Sequence, residues 1–98
     1  MRTYVLTRSS NKAKKWMVTT PTGTTIHFGA AGYSDYTIHK DRDRMLRYRA
    51  RHEGREDWTA KGINTAGFWA LYILWNKPSL TDSIRATERR FNIKIVKK

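Results

Sequence analysis

The architecture is set by residues 15 to 28, which read Lys15-Trp16-Met17-Val18-Thr19-Thr20-Pro21-Thr22-Gly23-Thr24-Thr25-Ile26-His27-Phe28. Its two arms, Lys15 to Thr19 and Thr24 to Phe28, are rich in β-branched and aromatic residues, which favour strands. Pro21-Thr22-Gly23 between them is typical of a tight turn. The stretch therefore predicts an antiparallel β-hairpin, and alternation puts Trp16 with Val18, and Ile26 with Phe28, on one face each.

A third strand precedes this hairpin. Thr3 to Thr7 has the same β-type composition, with Tyr4 and Leu6 sharing one face, and the turn-forming residues Ser9-Ser10-Asn11 follow it. The first 28 residues therefore predict an antiparallel β-meander.

The segment after the hairpin changes pattern. Two glycines in Gly29-Ala30-Ala31-Gly32 break the strand, and residues 29 to 36 predict a loop. Asp41 to His52 is rich in helix formers, with Met45, Tyr48 and His52 on one stripe and arginines elsewhere. This pattern predicts a basic amphipathic helix that stops near Gly54.

Two more helices and a strand complete the chain. Thr65 can cap a helix that runs through the apolar residues 68 to 75 and ends at Asn76-Lys77-Pro78. Ser79 can open a third helix, whose inward stripe is Leu80, Ile84, Thr87 and Phe91. Asn92 ends that helix, and Ile93 and Ile95 alternate with lysines as a closing strand. The fold class predicted for residues 1–98 is a single α+β domain: an N-terminal antiparallel meander, three helices and a C-terminal strand that returns to the sheet.

Composition bounds the classes of protein that are possible. The chain has 98 residues, with Lys+Arg 20 against Asp+Glu 8, for a formal net charge of +12. Hydrophobic residues at 39% exclude a disordered basic tail, and the lack of cysteine excludes disulfides and thiolate chemistry. The longest apolar run, residues 66 to 75, is far shorter than the ~20 residues that cross a bilayer. We expect a soluble protein, with no transmembrane segment and no export signal, that is attracted to acidic partners.

The positive charge is concentrated at the chain ends. Residues 1–20 carry five basic groups and no acid, and residues 85–98 carry six basic groups and one acid. Because the closing strand can reach the meander, we expect these groups to converge into a polyanion-binding face. Its candidate residues are Arg2, Arg8, Lys12, Lys14, Lys15, Arg89, Arg90, Lys94, Lys97 and Lys98.

Aromatic residues supply a second candidate surface. Tyr33, Tyr36 and Trp58 lie in predicted loops beside basic residues, where such rings stack on unpaired bases or anchor a protein partner. We expect these three to bind the partner, whereas Trp69, Tyr72 and Trp75 lie on the apolar helix, where core packing is favoured over an interface.

Catalytic patterns are weak. One set of acids and histidines has the residue types of a metal-dependent nuclease: His39, Asp41, Asp43, His52, Glu53, Glu56 and Asp57. No metal-ligand spacing links them, and the interleaved basic residues favour ordinary helix ion pairs instead. Ser34, Asp35 and His39 lack a nucleophile elbow. We therefore expect no catalytic site, no metal, no other cofactor and no small-molecule substrate.

The middle and end of the chain carry a series of distinctive motifs. They are Ile26-His27-Phe28-Gly29-Ala30, residues 32 to 41, Arg51-His52, Glu56-Asp57-Trp58-Thr59, Gly62-Ile63, Thr65-Ala66-Gly67-Phe68-Trp69 and residues 74 to 80. Together, over about residues 4 to 95, they resemble a family of small basic proteins of uncharacterised function encoded by nucleocytoplasmic large DNA viruses. This resemblance implies a viral setting and supplies no catalytic residues.

A viral setting implies three kinds of partner for a basic domain: capsid proteins, the packaged DNA or another polyanion. We expect a non-enzymatic structural component of the virion, a minor capsid or internal protein that docks through its aromatic loops and basic ends. It would be found in the particle, and in the host cytoplasm or nucleus during assembly. Two alternatives are a sequence-nonspecific DNA-binding protein and, third, a metal-dependent nuclease.

Overall fold

A four-stranded sheet forms one layer of the structure, a computed structural model that describes residues 1–98. The strands are β1 (Thr3–Arg8), β2 (Lys14–Thr19), β3 (Thr25–Ala30) and β4 (Lys94–Lys97). Their order across the sheet is β3-β2-β1-β4. The predicted meander and the returning C-terminal strand are both confirmed.

The pairing of β4 decides which chain ends meet. β2 runs antiparallel to both β1 and β3, with Arg8 opposite Trp16 and Trp16 opposite Phe28. β4 instead runs parallel to β1, with Thr3 opposite Lys94 and Leu6 opposite Lys97. The carboxyl ends of β1 and β4 therefore lie side by side, next to the start of β2.

Helices form the second layer. They are α1 (Tyr36–His39), α2 (Arg42–His52), α3 (Ala66–Trp69) and α4 (Leu80–Phe91), with a 3₁₀ turn at Ala60–Gly62. The predicted caps are present, because the Thr65 hydroxyl accepts from the Phe68 N–H and the Ser79 hydroxyl accepts from the Asp82 N–H. Asn92 ends α4 in the left-handed conformation.

The apolar segment of residues 66 to 75 differs from the single helix that the sequence predicts. After the one α-helical turn of α3, residues Ala70–Leu74 form a π-helical turn. Because this segment is apolar on every side, it has no polar face from which the number of residues per helical turn could be predicted. The segment belongs to the core, since Phe68, Trp69 and Ile73 are fully buried.

The core lies between one face of the sheet and these helices. Each strand buries alternate residues, and the six predicted inward residues are all buried: Tyr4, Leu6, Trp16, Val18, Ile26 and Phe28. The opposite face of the sheet contributes no residue to this core, and its Val5, Met17 and Val96 side chains are half-buried. None of the helices has both the length and the apolar character that a bilayer crossing requires.

One short helix was not predicted. The predicted loop ends at Tyr36 and no helix was expected before Asp41, but Asp35 accepts a hydrogen bond from the Thr37 N–H and starts the single turn of α1. This cap is held by Lys15, whose Nζ lies 2.6 Å from the Asp35 carboxylate. The contact links residues 20 positions apart and so leaves no local signal in the sequence.

Candidate polyanion-binding site

Basic residues from both chain ends meet at one end of the sheet. Arg8 ends β1, and Lys97 lies on β4 directly opposite Leu6. The antiparallel β2 starts at the same end with Lys14. The Lys98 N–H donates to the Leu6 carbonyl at 2.9 Å, which fixes the C-terminal residue there. We call the five exposed cations of this region the basic end: Arg8, Lys12, Lys14, Lys97 and Lys98.

The indole of Trp16 orders two of these cations. The guanidinium carbon of Arg8 lies 4.6 Å from the ring centroid, and Nζ of Lys97 lies 5.8 Å from it. Both distances fall within the range of a cation-π contact. The two side chains are thus partly ordered before any ligand arrives, which reduces the entropy that binding must remove.

Acidic residues do not neutralise the basic end. The only salt bridge in the protein joins Lys15 to Asp35, and it involves none of the five residues. Lys15 lies at the same end of the sheet, but its charge is paired with the carboxylate of Asp35.

Several acidic side chains form hydrogen bonds with the backbone. The carboxylates of Asp35, Asp41, Asp57 and Glu88 each accept a hydrogen bond from a backbone N–H. Bonds from the Thr59 hydroxyl and N–H also hold the pKa of Asp57 below its ordinary value. Apart from Asp35, these acids bond to the backbone and form no salt bridge with a basic side chain.

The other predicted cations lie elsewhere. Arg2 and Lys94 are at the opposite end of β1 and β4, where Lys94 N–H donates to the Arg2 carbonyl, and Arg89 lies near Lys94 beside Asn92. Arg90 lies on another side of α4, 5.7 Å from the rings of Tyr72 and Phe91. The structure therefore brings together six of the ten predicted residues: Arg8, Lys12, Lys14, Lys15, Lys97 and Lys98.

The three predicted partner-binding aromatics occupy different environments. Tyr33 is 73% exposed, whereas Tyr36 is 8% exposed and so presents little surface to a partner. Trp58 is half-buried against the core, and its carbonyl accepts a hydrogen bond from the Tyr72 hydroxyl at 2.6 Å. Of the three, Tyr33 alone offers an open ring.

The arginines of α2 are the basic residues that sequence reasoning discounted. Arg42, Arg44, Arg47, Arg49 and Arg51 were expected to pair with neighbouring acids, but no salt bridge forms along the helix. Asp41 caps the helix instead, accepting from the Asp43 and Arg44 N–H groups. The expectation of helix ion pairs was wrong because the acid at the helix start bonds to the backbone.

The structure brings together neither the residues considered for a metal-dependent nuclease nor those considered for a nucleophile site. No group of three or more His, Asp or Glu side chains is close enough to hold a metal ion. Asp35 bonds to Lys15 and Thr37 rather than to His39, and His39 Nδ1 accepts from the Asp41 N–H at 2.9 Å. The residue types considered for a nucleophile site thus have other partners.

His39 is in an environment that opposes its protonation. Burial, with a smaller contribution from the nearby Arg44, lowers the pKa of its imidazole below 6.5. Its Nδ1 acts as an acceptor, and its buried Nε2 has no hydrogen-bond partner. The neutral ring thus accepts the Asp41 N–H at the junction between α1 and α2.

These features define the class of the protein: a small basic α+β domain with an ordered cluster of unpaired cations at one end of its sheet. Residues 4–52, which include β1 to β3, α1 and α2, match a family of unknown function, DUF5754. The chain belongs to that family. Comparisons with curated proteins and with solved structures gave no match. A relation to a family of unknown function is thus confirmed over residues 4–52, whereas the resemblance over residues 53 to 95 and the viral setting stay predictions.

Proposed function

We propose that this protein is a non-enzymatic, sequence-nonspecific binder of nucleic acid, and that the basic end contacts the phosphate backbone. The observation that carries this proposal is the convergence of Arg8, Lys12, Lys14, Lys97 and Lys98 from both chain ends without an acidic partner. Such contacts to phosphates release counterions and so supply affinity in a salt-dependent way. Contacts of this kind carry no base information, which is why the proposal is for binding without sequence preference.

The test must separate a site from a general effect of charge, because any protein with a charge of +12 binds DNA at low salt. We would compare Lys14→Glu/Lys97→Glu with Arg2→Glu/Lys94→Glu by fluorescence anisotropy on a labelled DNA duplex. Each pair changes the net charge equally, and each affects exposed residues of β-sheet ends. Circular dichroism would verify that both variants fold.

If the basic end is the binding site, Lys14→Glu/Lys97→Glu should lower the affinity for DNA more than Arg2→Glu/Lys94→Glu does, by about tenfold or more, since two charge-assisted contacts are lost there. Equal losses for the two pairs would show that net charge alone accounts for binding, and the proposed site would be wrong.

A second candidate function is a structural role in a virus particle. The exposed apolar side chains of Tyr33, Ile38 and Leu46 favour it, because all three lie between the loop after β3 and the middle of α2. Exposed apolar groups of this size are suited to docking on a capsid protein. The viral setting itself rests on the resemblance of the sequence.

Stepwise extraction of purified particles tests this candidate, with the protein followed by quantitative mass spectrometry. A capsid component stays with the major capsid protein in salt that removes DNA-bound proteins, and Tyr33→Ala/Ile38→Ala lowers its incorporation without unfolding it. Release together with the genome at moderate salt would count against docking on the capsid and would support nucleic-acid binding.

A further inference from the structure

A cleft in the helical layer brings basic and aromatic residues together. It lies between α2, the segment around Trp58, the end of the π-helical turn and α4, and its volume is about 480 Å³. Arg49, Lys77 and Arg90 line it, and no acidic residue does. These three cations come from separate parts of the chain, and none forms a salt bridge.

The polar groups of this cleft are mainly hydrogen-bond donors. Arginine, lysine and the indole N–H donate and never accept, and the Asn76 amide adds further donors. Two lining residues also carry a buried donor without a partner in the protein, Nε of Arg49 and Nε1 of Trp58. A ligand that satisfies this lining must be rich in acceptors and negatively charged.

Parts of the cleft are held in place before a ligand binds. The guanidinium of Arg90 lies 5.7 Å from the Tyr72 ring, and the Tyr72 hydroxyl donates to the Trp58 carbonyl at 2.6 Å. The Lys77 N–H donates to the Ser83 hydroxyl at 3.0 Å, which fixes the backbone at this point. These contacts hold the guanidinium of Arg90 and the backbone of Lys77.

The cleft extends into a neighbouring depression of about 430 Å³, with which it shares Arg49, Asn76 and Lys77. Arg42 lines the extension and adds a fourth cation, again without an acid. The combined groove is therefore longer than a single phosphate group.

We propose that this groove is a second anion site, separate from the basic end, and that it binds a phosphate ester. Phosphate provides several strong acceptors on one compact charge, which matches a cleft lined by three cationic donors. The phosphate can belong to a free nucleotide or to a single strand of nucleic acid. None of the residues of this site belongs to the basic end, so the inference does not depend on the function proposed above.

Indole N–H signals in a ¹⁵N-correlated NMR spectrum test this proposal, with inorganic phosphate, adenosine monophosphate and single-stranded oligothymidylate as probes. Trp58 reports on the cleft and Trp16 on the basic end. Trp69 is an internal control, because it is fully buried and its Nε1 donates to the Ile63 carbonyl at 2.7 Å. We expect a saturable shift of the Trp58 signal and none of the Trp69 signal.

Single variants separate the site from net charge. Lys77 is exposed, so Lys77→Gln preserves the fold, and we expect it to weaken binding about tenfold, the loss of one charge-assisted hydrogen bond. Arg89→Gln is the matched control, since Arg89 is also exposed, lies next to Arg90 and does not line the cleft. Lys14→Glu/Lys97→Glu should leave the Trp58 titration unchanged, which distinguishes this site from the basic end.

The probes distinguish the source of the phosphate. A shift with inorganic phosphate or the mononucleotide supports a site for free phosphate esters, and a shift with the oligonucleotide alone supports a site for a strand. No Trp58 shift with any probe would overturn the proposal. An equal weakening by Arg89→Gln and Lys77→Gln would also overturn it.

Discussion

Acidic side chains in this protein bond to the backbone more than to basic side chains. Asp41 is typical, because its carboxylate accepts from the Asp43 and Arg44 N–H groups at the start of α2. Acids used in this way satisfy donors that the first helical turn leaves open. They also leave the arginines of the same helix free for an external anion.

We predict that Asp41→Ala lowers the free energy of unfolding by about 1 kcal/mol, the usual value of an N-cap. Asp41→Asn removes the same charge but keeps an oxygen that can cap the helix, so it should cost much less. Urea unfolding of both variants measures the difference. Equal losses would mean that the charge of Asp41, rather than its hydrogen bonds, stabilises α2.

His39 predicts a pH dependence of stability. Its folded pKa is below 6.5, so the unfolded chain binds more protons around that pH and stability falls as the pH drops through 6.5. The loss continues until the pH reaches the lower, folded pKa, and above 6.5 the full stability is present.

Unfolding by urea, just above and about one unit below the ordinary histidine value of 6.5, tests this dependence. The wild-type protein should lose more stability between the two conditions than His39→Gln, which cannot be protonated. The same loss in both proteins would show that His39 is not the responsible group.

At the scale of elements, an aromatic stack attaches the basic helix α2 to the domain. The ring of Tyr48 lies parallel to that of Trp75, with centroids 4.3 Å apart, and its other neighbour is His52 at 4.2 Å. Burial raises the pKa of Tyr48 to about 12, so its hydroxyl stays protonated throughout the neutral range. This stack, with the buried Met45, fixes the helix that supplies Arg42 and Arg49 to the groove.

We predict that Tyr48→Ala lowers the free energy of unfolding by about 2 kcal/mol, because a half-buried ring and its stacking contacts are lost. Tyr48→Phe keeps the ring and should cost less than about 1 kcal/mol. Thermal and urea unfolding measure both values. A loss for Tyr48→Phe as large as that for Tyr48→Ala would place the stabilisation in the hydroxyl group instead of the stack.

The elements show what local sequence can predict. All four strands, α2 and α4 were predicted, because alternation, helical stripes and the caps Ser79 and Asn92 are local signals. The π-helical turn of Ala70–Leu74 was missed, since its period is invisible in an apolar run and the Tyr72 carbonyl is satisfied from α4 by the Thr87 hydroxyl. The one-turn helix α1 depends on the distant contact of Lys15 with Asp35.

The two candidate sites also differ in how far the sequence could predict them. The basic end was predictable in part, because a returning strand brings Lys97 beside Leu6 and so near Arg8. The cleft was not, since Arg49, Lys77 and Arg90 come from three segments whose spacing in the sequence says nothing about their distance. Arg49 was also assigned to ion pairs that the helix does not form.

For the molecule as a whole, both proposed anion sites follow from the distribution of positive charge. A net charge of +12 with one salt bridge leaves the folded protein repelling itself, unless an anion binds. The structure places free cations both at the basic end and in the groove between α2 and α4. Under the functions proposed above, phosphate-bearing ligands would relieve this repulsion at each place.

The salt dependence of binding to a DNA duplex tests whether the basic end contacts phosphates. If the five cations of the basic end contact phosphates, the plot of log affinity against log salt has a slope of about −4.5 for the wild-type protein. We predict that Lys14→Glu/Lys97→Glu reduces the magnitude of that slope by about 2, whereas Arg2→Glu/Lys94→Glu changes it little. Equal reductions by the two pairs, or a slope that neither changes, would contradict a phosphate-binding site at the basic end.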